Sequence, residues 1–476
     1  MEARREICYR YHDVSPPTPC LLSYILMTIP ARHFLSAICS SLDGLAPAAG
    51  RVTFSKNDDL PSIYAVTDLA AASIGAACLA VSLLTGDRPI AVDRRLASLW
   101  FTWSIRPEGW EPPPLWDPMA GDYRADDGWV RLHTNAFRHR AAALEVLGVP
   151  GEREHVAAAV ARWGKDDLES RIVEAGGCAA AMRSEADWQA HPQGAALARE
   201  PLIAWTRYAA APGYWQPRPD RPLAGIKVLD LTRILAGPVA TRFLAGYGAE
   251  VLRIDPPGWD EGAVIPEIGL GKRCARLDLE NKADRGRFEA LLTEADLLVH
   301  GYRPGALEAL GYGETARRAL NPALIDVTLD AYGWSGPWRE RRGFDSLVQM
   351  SVGIAEAGMT RLGRERPTPL PVQALDHATG YLMAAATVCA LVRRRNGEGT
   401  ASAHLSLART ARLLAEQGTA ERGAPIQAET EDWSPHLEMT GWGAAHRLRP
   451  PALIEGTPIY WERAAGKLGS AAPAWA

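Results

Sequence analysis

Cysteine is scarce in this chain of 476 residues, and its seven cysteines lie far apart without any CxxC pair. This spacing excludes a disulfide framework and a zinc site, and it favours buried thiols in a reducing cytoplasm. The positions are Cys8, Cys20, Cys39, Cys78, Cys178, Cys274 and Cys389. The eleven histidines also lack metal-ligand spacing. His133 and His139 are therefore interpreted as surface or core residues, and we expect no metal.

Positive charge is not in excess either. Lys plus Arg is 52 and Asp plus Glu is 56, which leaves a formal net charge of −4. Neither a nucleic acid nor an anionic membrane is an expected partner of such a chain. A content of 47% hydrophobic and 23% charged residues is typical of a soluble protein with two or three domains. We expect a small-molecule partner.

The amino terminus lacks a clear targeting signal. The apolar run from Cys20 to Met27 lies between two prolines, and no small-residue cleavage site follows promptly. We expect a cytoplasmic protein, with Met27 as a candidate true start.

The stretch from Val66 to Leu84 has nearly membrane-spanning length, but it is rich in Ala, Gly and Ser and contains Asp68. It predicts a buried helix.

A second stretch, Ala374 to Val392, resembles the first. Asp376 stands where the first stretch has Asp68, and both stretches continue through a glycine turn into a short apolar strand and a helix. The pattern predicts an internal repeat. Two unrelated Ala-rich core helices are the alternative.

The clearest alternation of predicted strands and helices begins after residue 222. Apolar runs predict strands at Ile226–Leu231, Glu250–Ile254, Ala295–His300 and Ala323–Leu329, with helices between them. This alternation predicts an α/β fold with a Rossmann-like parallel sheet.

A ligand of such a sheet docks at the carboxyl ends of the strands. The turn after the first strand, TRILAGP, has only Gly237 and lacks GxGxxG, so we expect no nicotinamide even though Asp255 ends the second strand. Five cations near strand ends and turns suit a phosphate-bearing ligand. They are Arg233, Lys272, Arg273, Arg303 and Arg342.

Five blocks between about Leu223 and Leu414 resemble the family III CoA-transferases. This CaiB/BaiF group includes formyl-CoA transferase, carnitine CoA-transferase and α-methylacyl-CoA racemase. The blocks are LDLTRILAGPVATRFLAGYGAEVLRID, GKRCARLDL, ADLLVHGYRPGALEALGYG, NPALIDVTLDAYGWSGPW and RRGFDSLVQMSVG. The resemblance implies a Rossmann-like large domain with a small α/β domain.

The order of these parts differs from that of the family. DGWVRLHTN and AGGCAAAMRSEADWQAHPQG resemble the small domain, which normally follows the Rossmann half but here precedes it. The chain therefore resembles a rearranged and partly duplicated member. The expected divisions are an extension outside the fold core (1–58), a partial copy of the large domain (59–127), the small domain (128–210), a linker (211–222), the CoA-binding large domain (223–420) and a tail (421–476).

The resemblance implies a CoA site along four segments. These are the turn after the first strand, the KRxxxLDL hairpin, the turn after the ADLLV strand and the segment around the FD pair. The residues carried over are Leu235, Ala236, Leu277, Asp278, Leu279, Gly301, Tyr302, Arg303, Arg342, Gly343, Phe344 and Asp345. Several polar contacts of the family are replaced, for instance by Gly301, Pro256 and Ala309.

The aspartate nucleophile of the family transferases is absent. Its position falls on Ala408 or Arg409. Substitute acids are Asp345, Asp376 beside His377, and Asp93, although each also fits a helix cap or a turn.

Three functions stay open at this point. The first is a CoA-transferase that acts on an acyl-CoA and a carboxylic acid. The second is another acyl-CoA enzyme, such as a racemase or isomerase, a hydratase or a thioesterase. The third is a non-catalytic CoA-binding homologue. We expect a homodimer or a single-chain pseudo-dimer.

Overall fold

The computed structural model describes residues 29–56, 58–209, 215–419 and 423–476. Within these residues the protein is built on one seven-stranded sheet and three sheets of three strands. The large sheet is parallel in all but one of its strand pairings. The α/β class predicted from the sequence is confirmed.

The described chain begins with a helix-rich segment that has its own small sheet. Its elements are α1 (Ile29–Ser40), β1 (Val52–Ser55), α2 (Val66–Thr85), β2 (Ile90–Asp93), α3 (Arg94–Thr102) and β3 (Ile105–Pro107). Phe34 and Ile38 of α1 are fully buried in the main core, and β1 pairs with β2. The described part of 1–58 therefore lies inside the core, contrary to expectation, because α1 packs against α2. Cys8, Cys20 and Met27 lie outside the described residues.

Residues 121–197 form the small α/β unit. Its elements are β4 (Gly121–Ala125), β5 (Gly128–Leu132), α4 (Phe137–Leu147), α5 (Arg153–Val160), α6 (Lys165–Glu174), β6 (Ala179–Ala181), α7 (Glu185–Ala190) and α8 (Pro192–Leu197). The unit has a core of its own around Val130 and Leu168. It begins before residue 128 because β4 pairs with β5, and it ends early because Ala204–Tyr208 (β7) joins the large sheet.

The large sheet has the strand order β10-β9-β8-β11-β12-β13-β7, with β7 antiparallel at one edge. Its other strands are β8 (Lys227–Leu231), β9 (Glu250–Asp255), β10 (Lys272–Arg276), β11 (Leu297–His300), β12 (Ile325–Asp330) and β13 (Thr400–Ser406). The KRxxxLDL block, expected as a hairpin, forms the parallel strand β10 because it pairs with β9. The four apolar strands predicted from the sequence are present as β8, β9, β11 and β12.

Parallel strands that are apolar throughout require helices on the faces of their sheet, and nine α-helices of the described residues follow β8 along the chain. They are α9 (Ala236–Gly246), α10 (Ile265–Ile268), α11 (Lys282–Glu294), α12 (Ala306–Ala309), α13 (Glu314–Leu320), α14 (Asp345–Ser351), α15 (Ile354–Arg361), α16 (Ala374–Arg395) and α17 (Leu407–Ala415). Helix α16 packs against both α9 and α2, so the amino-terminal segment and the large sheet share one core.

The carboxyl-terminal segment completes the small sheets. It contains β14 (Trp433–Thr440), β15 (Gly443–Leu448) and β16 (Ala452–Ile454). Strand β15 pairs with β3, and β16 pairs with β2. The described part of 421–476 is therefore built into the fold rather than attached as a tail.

The two stretches of the predicted repeat have the same order of strands and helices in the structure. The series β1-α2-β2-α3 corresponds to β12-α16-β13-α17, and the first and second strands of each series are parallel neighbours. Asp93 and Ser406 end the second strands, and each caps the following helix by accepting the N–H three residues on. The caps align Asp93 with Ser406, and the strand pairing then aligns Ser55 with Asp330.

Two helices of the described residues, α2 and α16, are long and apolar enough to cross a membrane by length and composition, but 94% of the apolar window of each is buried inside the protein. They are core helices that are apolar on every side. The described cysteines, Cys39, Cys78, Cys178, Cys274 and Cys389, are also buried and free.

Candidate active site

Four segments singled out by the sequence meet at the carboxyl edge of the large sheet. Residues 235–236 follow β8, residues 277–279 follow β10 and residues 301–303 follow β11. The carboxyl ends of parallel strands share one edge of a sheet. The fourth segment, residues 342–345, lies at the same edge. Gly343 packs so closely against Ala331, just beyond β12, that a Cβ on Gly343 would lie only 2.6 Å from Ala331 Cβ.

The turn after β8 is held by the buried carboxylate of Asp230. Its Oδ1 accepts the Thr232 N–H at 2.8 Å, and its Oδ2 lies 3.1 Å from Lys272 Nζ. Burial opposes ionisation of Asp230, but the charges of Lys272 and Arg253 hold its pKa below the usual value. A Cβ on Gly237 would lie 2.3 Å from the Thr232 side chain, so glycine is required there. Lys272 is therefore unavailable to a phosphate, contrary to expectation, because it pairs with Asp230.

Arg233 is the principal cation beside this turn. Its guanidinium carbon lies 4.5 Å from the ring centroid of Trp259 and 5.1 Å from that of Tyr302. One guanidinium nitrogen donates to the Tyr302 hydroxyl at 3.0 Å. Arg303 and Arg342 are exposed at the same edge. Three arginines can thus approach an anionic ligand, and the stacking orders the guanidinium of Arg233 in advance.

The small unit reaches the FD pair through two histidines. The His133 ring stacks on Phe344 with centroids 3.7 Å apart, and His139 meets the same ring at 62°. Burial lowers the pKa of His133 to about 3 and that of His139 to about 4. Both imidazoles are therefore neutral near pH 7. Their contact with Phe344 could not be read from the sequence, because it joins two separately folded units.

Asp345 and Asp376 form a buried acidic pair. Asp345 Oδ2 accepts the Asp376 N–H at 2.9 Å, and Gln349 donates to Oδ1. Burial raises the pKa of Asp345 to about 6. Burial and the Asp345 charge raise the pKa of Asp376 as well. The neighbouring His377 ring stacks on Phe101 of α3 at 4.9 Å. Asp345 and Asp376 lie in the first turns of α14 and α16, so both also fit the helix-terminal alternative.

Asp93, the third substitute acid, lies on a different sheet from the two positions aligned with the family nucleophile. Asp93 lies in the amino-terminal sheet, where it accepts the Leu96 N–H at 3.0 Å. Ala408 is buried. Arg409 is partly exposed, and its Nε donates to the Glu200 carbonyl at 2.9 Å. Of the two aligned positions, Arg409 is therefore the one whose side chain reaches the edge of the sheet.

Two carboxylates at this edge were missed in the sequence. Asp330 ends β12 directly opposite Ser406 of β13. Glu200 follows α8 and accepts the Ser335 N–H at 2.8 Å. An aspartate that closes an apolar strand before the turn AYG was a usable signal for Asp330. Glu200 had no local signal, because it arrives from the small unit.

Comparison with known proteins finds similarity over the region of the large sheet. Residues 223–437 match the family model described as CoA-transferase family III. An acetyl-coenzyme A transferase of Hypoxylon pulicicidum is 33% identical over 213 residues, which are 44% of this chain and 35% of that protein. A probable fatty acyl-CoA transferase of Mycobacterium tuberculosis is 34% identical over 194 residues, 38% of this chain and 49% of that protein. The chain thus spans half or less of these two relatives.

A third relative aligns over a longer range. An acyl-CoA transferase of Gibberella moniliformis is 29% identical over 406 residues, 74% of this chain and 71% of that protein. Among solved structures, a hypothetical protein of M. tuberculosis is 33% identical with a TM-score of 0.37 and covers 41% of this chain and 58% of that one. A CaiB/BaiF family protein of Brucella suis is 25% identical with a TM-score of 0.39 and covers 47% and 65%.

Proposed function

We propose, from the match of residues 223–437 to the family model described as CoA-transferase family III, that the protein binds an acyl-CoA and transfers its CoA to a carboxylic acid. The observation that carries the proposal is the meeting of four sequence segments at one edge of the sheet. They are residues 235–236, 277–279, 301–303 and 342–345. We assign CoA to this edge.

The charges at the edge support a CoA ester as ligand. Arg233, Arg303 and Arg342 supply cations for the phosphates of CoA, and Arg233 is already ordered by its two aromatic neighbours. The turn after β8 has a fixed backbone, so it can receive the ligand without reorganising. The thioester end is assigned to the region between residues 342–345 and the ends of β12 and β13.

Binding is tested by isothermal calorimetry of the full chain with CoA and with acetyl-CoA. We expect heat with both ligands, and we expect Arg303→Ala to weaken affinity about tenfold, since a charge-assisted hydrogen bond contributes about 1.5–3 kcal/mol. Arg287→Ala is the matched control, because Arg287 is an exposed arginine of α11 paired with Asp284. Absence of heat with every CoA species would overturn the assignment.

Transfer is tested by mixing the protein with a panel of acyl-CoA donors and free carboxylic acids. The measurement is the appearance of a new CoA thioester by mass spectrometry. A new thioester that depends on both substrates supports CoA transfer. Loss of the donor to free CoA alone indicates a thioesterase, and exchange of the α-proton without transfer indicates an isomerase.

One observation favours a second candidate, the non-catalytic CoA-binding homologue. The resemblance places the family's aspartate nucleophile at Ala408 or Arg409, and neither side chain can form a mixed anhydride. Tight binding of CoA with no transfer, hydrolysis or exchange would support this candidate over the transferase.

We further propose a single-chain pseudo-dimer and a cytoplasmic location. The packing of the repeated helices α2 and α16 within one chain supports the first, and we expect light scattering to show a monomer, whereas a stable dimer would contradict it. The free cysteines of the described residues support the second. Fractionation of cells that express the tagged full chain tests it.

A further inference from the structure

The ends of strands β12 and β13 bring together groups that the family pattern does not assign. Asp330 closes β12, and its Cα is paired with that of Ser406, the cap of α17. Adjacent strands are about 4.8 Å apart, so Asp330 is one strand away from the place where α17 begins. Ala408 and Arg409, the two positions with which the family nucleophile aligns, lie in the first turn of that helix.

Gly333 joins Asp330 to a second carboxylate. Its N–H donates to Asp330 Oδ1 at 2.6 Å. A Cβ on Gly333 would lie 2.5 Å from Glu200 Oε2, so Glu200 packs directly against the same residue. Glu200 is 6% exposed, and its Oε2 is buried without a hydrogen-bond partner in the described part of the chain. Two carboxylates therefore flank one glycine, and one of them has an unused buried oxygen.

Arg409 supplies the cation of this cluster. Its Nε is engaged by the Glu200 carbonyl, but its Nη1 is buried without a partner, and it forms no ion pair with the described residues. A partly buried guanidinium with a free donor is suited to a planar carboxylate ligand. In a CoA transfer that ligand is the acceptor acid.

The electrostatics agree with a reactive acid at residue 330. Burial and the nearby Glu200 charge raise the pKa of Asp330 to about 8. The backbone N–H groups of Gly333 and Tyr332 act in the opposite direction, but their effect is smaller in sum. Burial also raises the pKa of Glu200. A carboxylate of higher basicity is a stronger nucleophile once it is ionised.

We propose that Asp330 is the nucleophile of this protein, displaced from the helix after β13 to the end of the neighbouring strand, and that Arg409 binds the acceptor acid. The inference rests on the proposed CoA transfer. An Asp330 oxygen attacks the thioester carbon, so that a C–O bond forms, the C–S bond breaks and CoA thiolate leaves. The thiolate then attacks the Asp330 carbonyl carbon and expels the donor acid, which leaves an Asp330–CoA thioester.

The second half of the cycle reverses these steps with the acceptor. An oxygen of the acceptor carboxylate attacks the Asp330 thioester and releases CoA thiolate. The thiolate then attacks the acceptor carbonyl carbon, the product thioester departs, and Asp330 regains a carboxylate that retains one oxygen of the acceptor. No oxidant, reductant or water is consumed.

This oxygen exchange is the test. The full chain is turned over with an acyl-CoA and an acceptor acid labelled with ¹⁸O in its carboxyl group, and its peptides are then weighed by mass spectrometry. We expect ¹⁸O in the peptide that contains Asp330. Product formation with the label at another carboxylate, or with no label in the protein, overturns the assignment of Asp330 but leaves CoA transfer standing. Absence of product from every donor and acceptor pair overturns the proposed function itself.

Variants give a second readout. Asp330→Asn keeps an oxygen that accepts the Gly333 N–H and is expected to lower turnover at least a thousandfold while CoA affinity changes less than threefold. Asp330→Ser installs the residue type found at the equivalent place of the first repeat, Ser55. This variant is expected to lose turnover and keep CoA affinity as Asp330→Asn does. Asp93→Asn is the control, since that acid lies on the other sheet, and it is expected to retain turnover. Near-normal turnover of Asp330→Asn with an unchanged melting profile overturns the inference.

Discussion

Asp68 and Asp376 occupy the same position of the two repeated helices but face opposite electrostatic surroundings. Asp68 pairs with Arg94 at 3.0 Å, and both side chains are 1% exposed. The position equivalent to Arg94 in the second repeat is Leu407, so Asp376 lacks that cation and instead faces the carboxyl group of Asp345. Replacing each aspartate by asparagine should therefore change stability in opposite directions.

The magnitudes follow from these contacts. Removing one charge of a buried ion pair costs about 3–5 kcal/mol. Because Arg94 keeps a second partner, Asp59, we expect Asp68→Asn to lose roughly 2–3 kcal/mol of unfolding free energy. The raised pKa of Asp376 predicts that Asp376→Asn gains unfolding free energy at pH 8, where the buried acid of the parent chain is held away from its ionised form.

The direction of the pH dependence can be stated. The pKa of Asp376 is higher in the folded protein than the usual value of 3.8, so the folded state holds this proton more tightly. Its stabilising contribution is complete below the unfolded pKa and is lost as the pH rises through the folded pKa. The advantage of Asp376→Asn is therefore largest at high pH and disappears towards pH 4. The contribution of Asp345, whose pKa is raised to about 6, changes with pH in the same direction.

Urea unfolding followed by circular dichroism at pH 5 and pH 8 measures both variants against the parent chain. Asp68→Asn is expected to be less stable at both pH values, whereas Asp376→Asn is expected to be more stable at pH 8 and less distinct at pH 5. A loss of stability at pH 8 for Asp376→Asn, or equal shifts of both variants, would refute the electrostatic reasoning.

Four further outcomes are expected. Gly380→Ala should destabilise the protein by about 1–3 kcal/mol in thermal unfolding, because its Cβ would lie 2.4 Å from the Ala236 carbonyl oxygen. Gly286→Ala, with nothing within 4 Å of its Cβ, should stabilise helix α11 by roughly 0.5–1 kcal/mol in the same assay. Arg233→Ala should weaken CoA binding by calorimetry about tenfold, and an unchanged affinity would remove Arg233 from the site. Arg409→Lys should raise the KM for the acceptor acid more than the KM for the acyl-CoA in initial-rate measurements, and equal effects would contradict its role in binding the acid.

The course of the large sheet was predictable from short-range pattern. The runs IKVLDL, EVLRI and ADLLVH are apolar throughout and are separated by helical segments, as buried parallel strands require. The repeat was also visible, because small residues recur wherever two core helices pack closely. The amino-terminal and carboxyl-terminal segments were misjudged, since β16 pairs with β2 across most of the chain and no local pattern records such a pairing.

The candidate site was only partly predictable. Gly301–Arg303 and Arg342–Asp345 could be named in advance because their motifs are continuous in the sequence. The ion pair of Lys272 with Asp230, the stacking of His133 on Phe344 and the approach of Glu200 to Gly333 could not. Each of these contacts joins residues that are far apart in the chain.

The amino-acid sequence by itself determined the fold class, the repeated helix-strand-helix unit and the edge of the sheet to which the family motifs belong. These properties depend on hydrophobic periodicity and on motifs of a few adjacent residues. Only the tertiary structure decided which acids are buried, which cations are already paired and which carboxylate stands next to Arg409. The physical reason is that desolvation and Coulomb interactions act through space, so the properties of Asp330 depend on neighbours that folding brings from both sides of the chain.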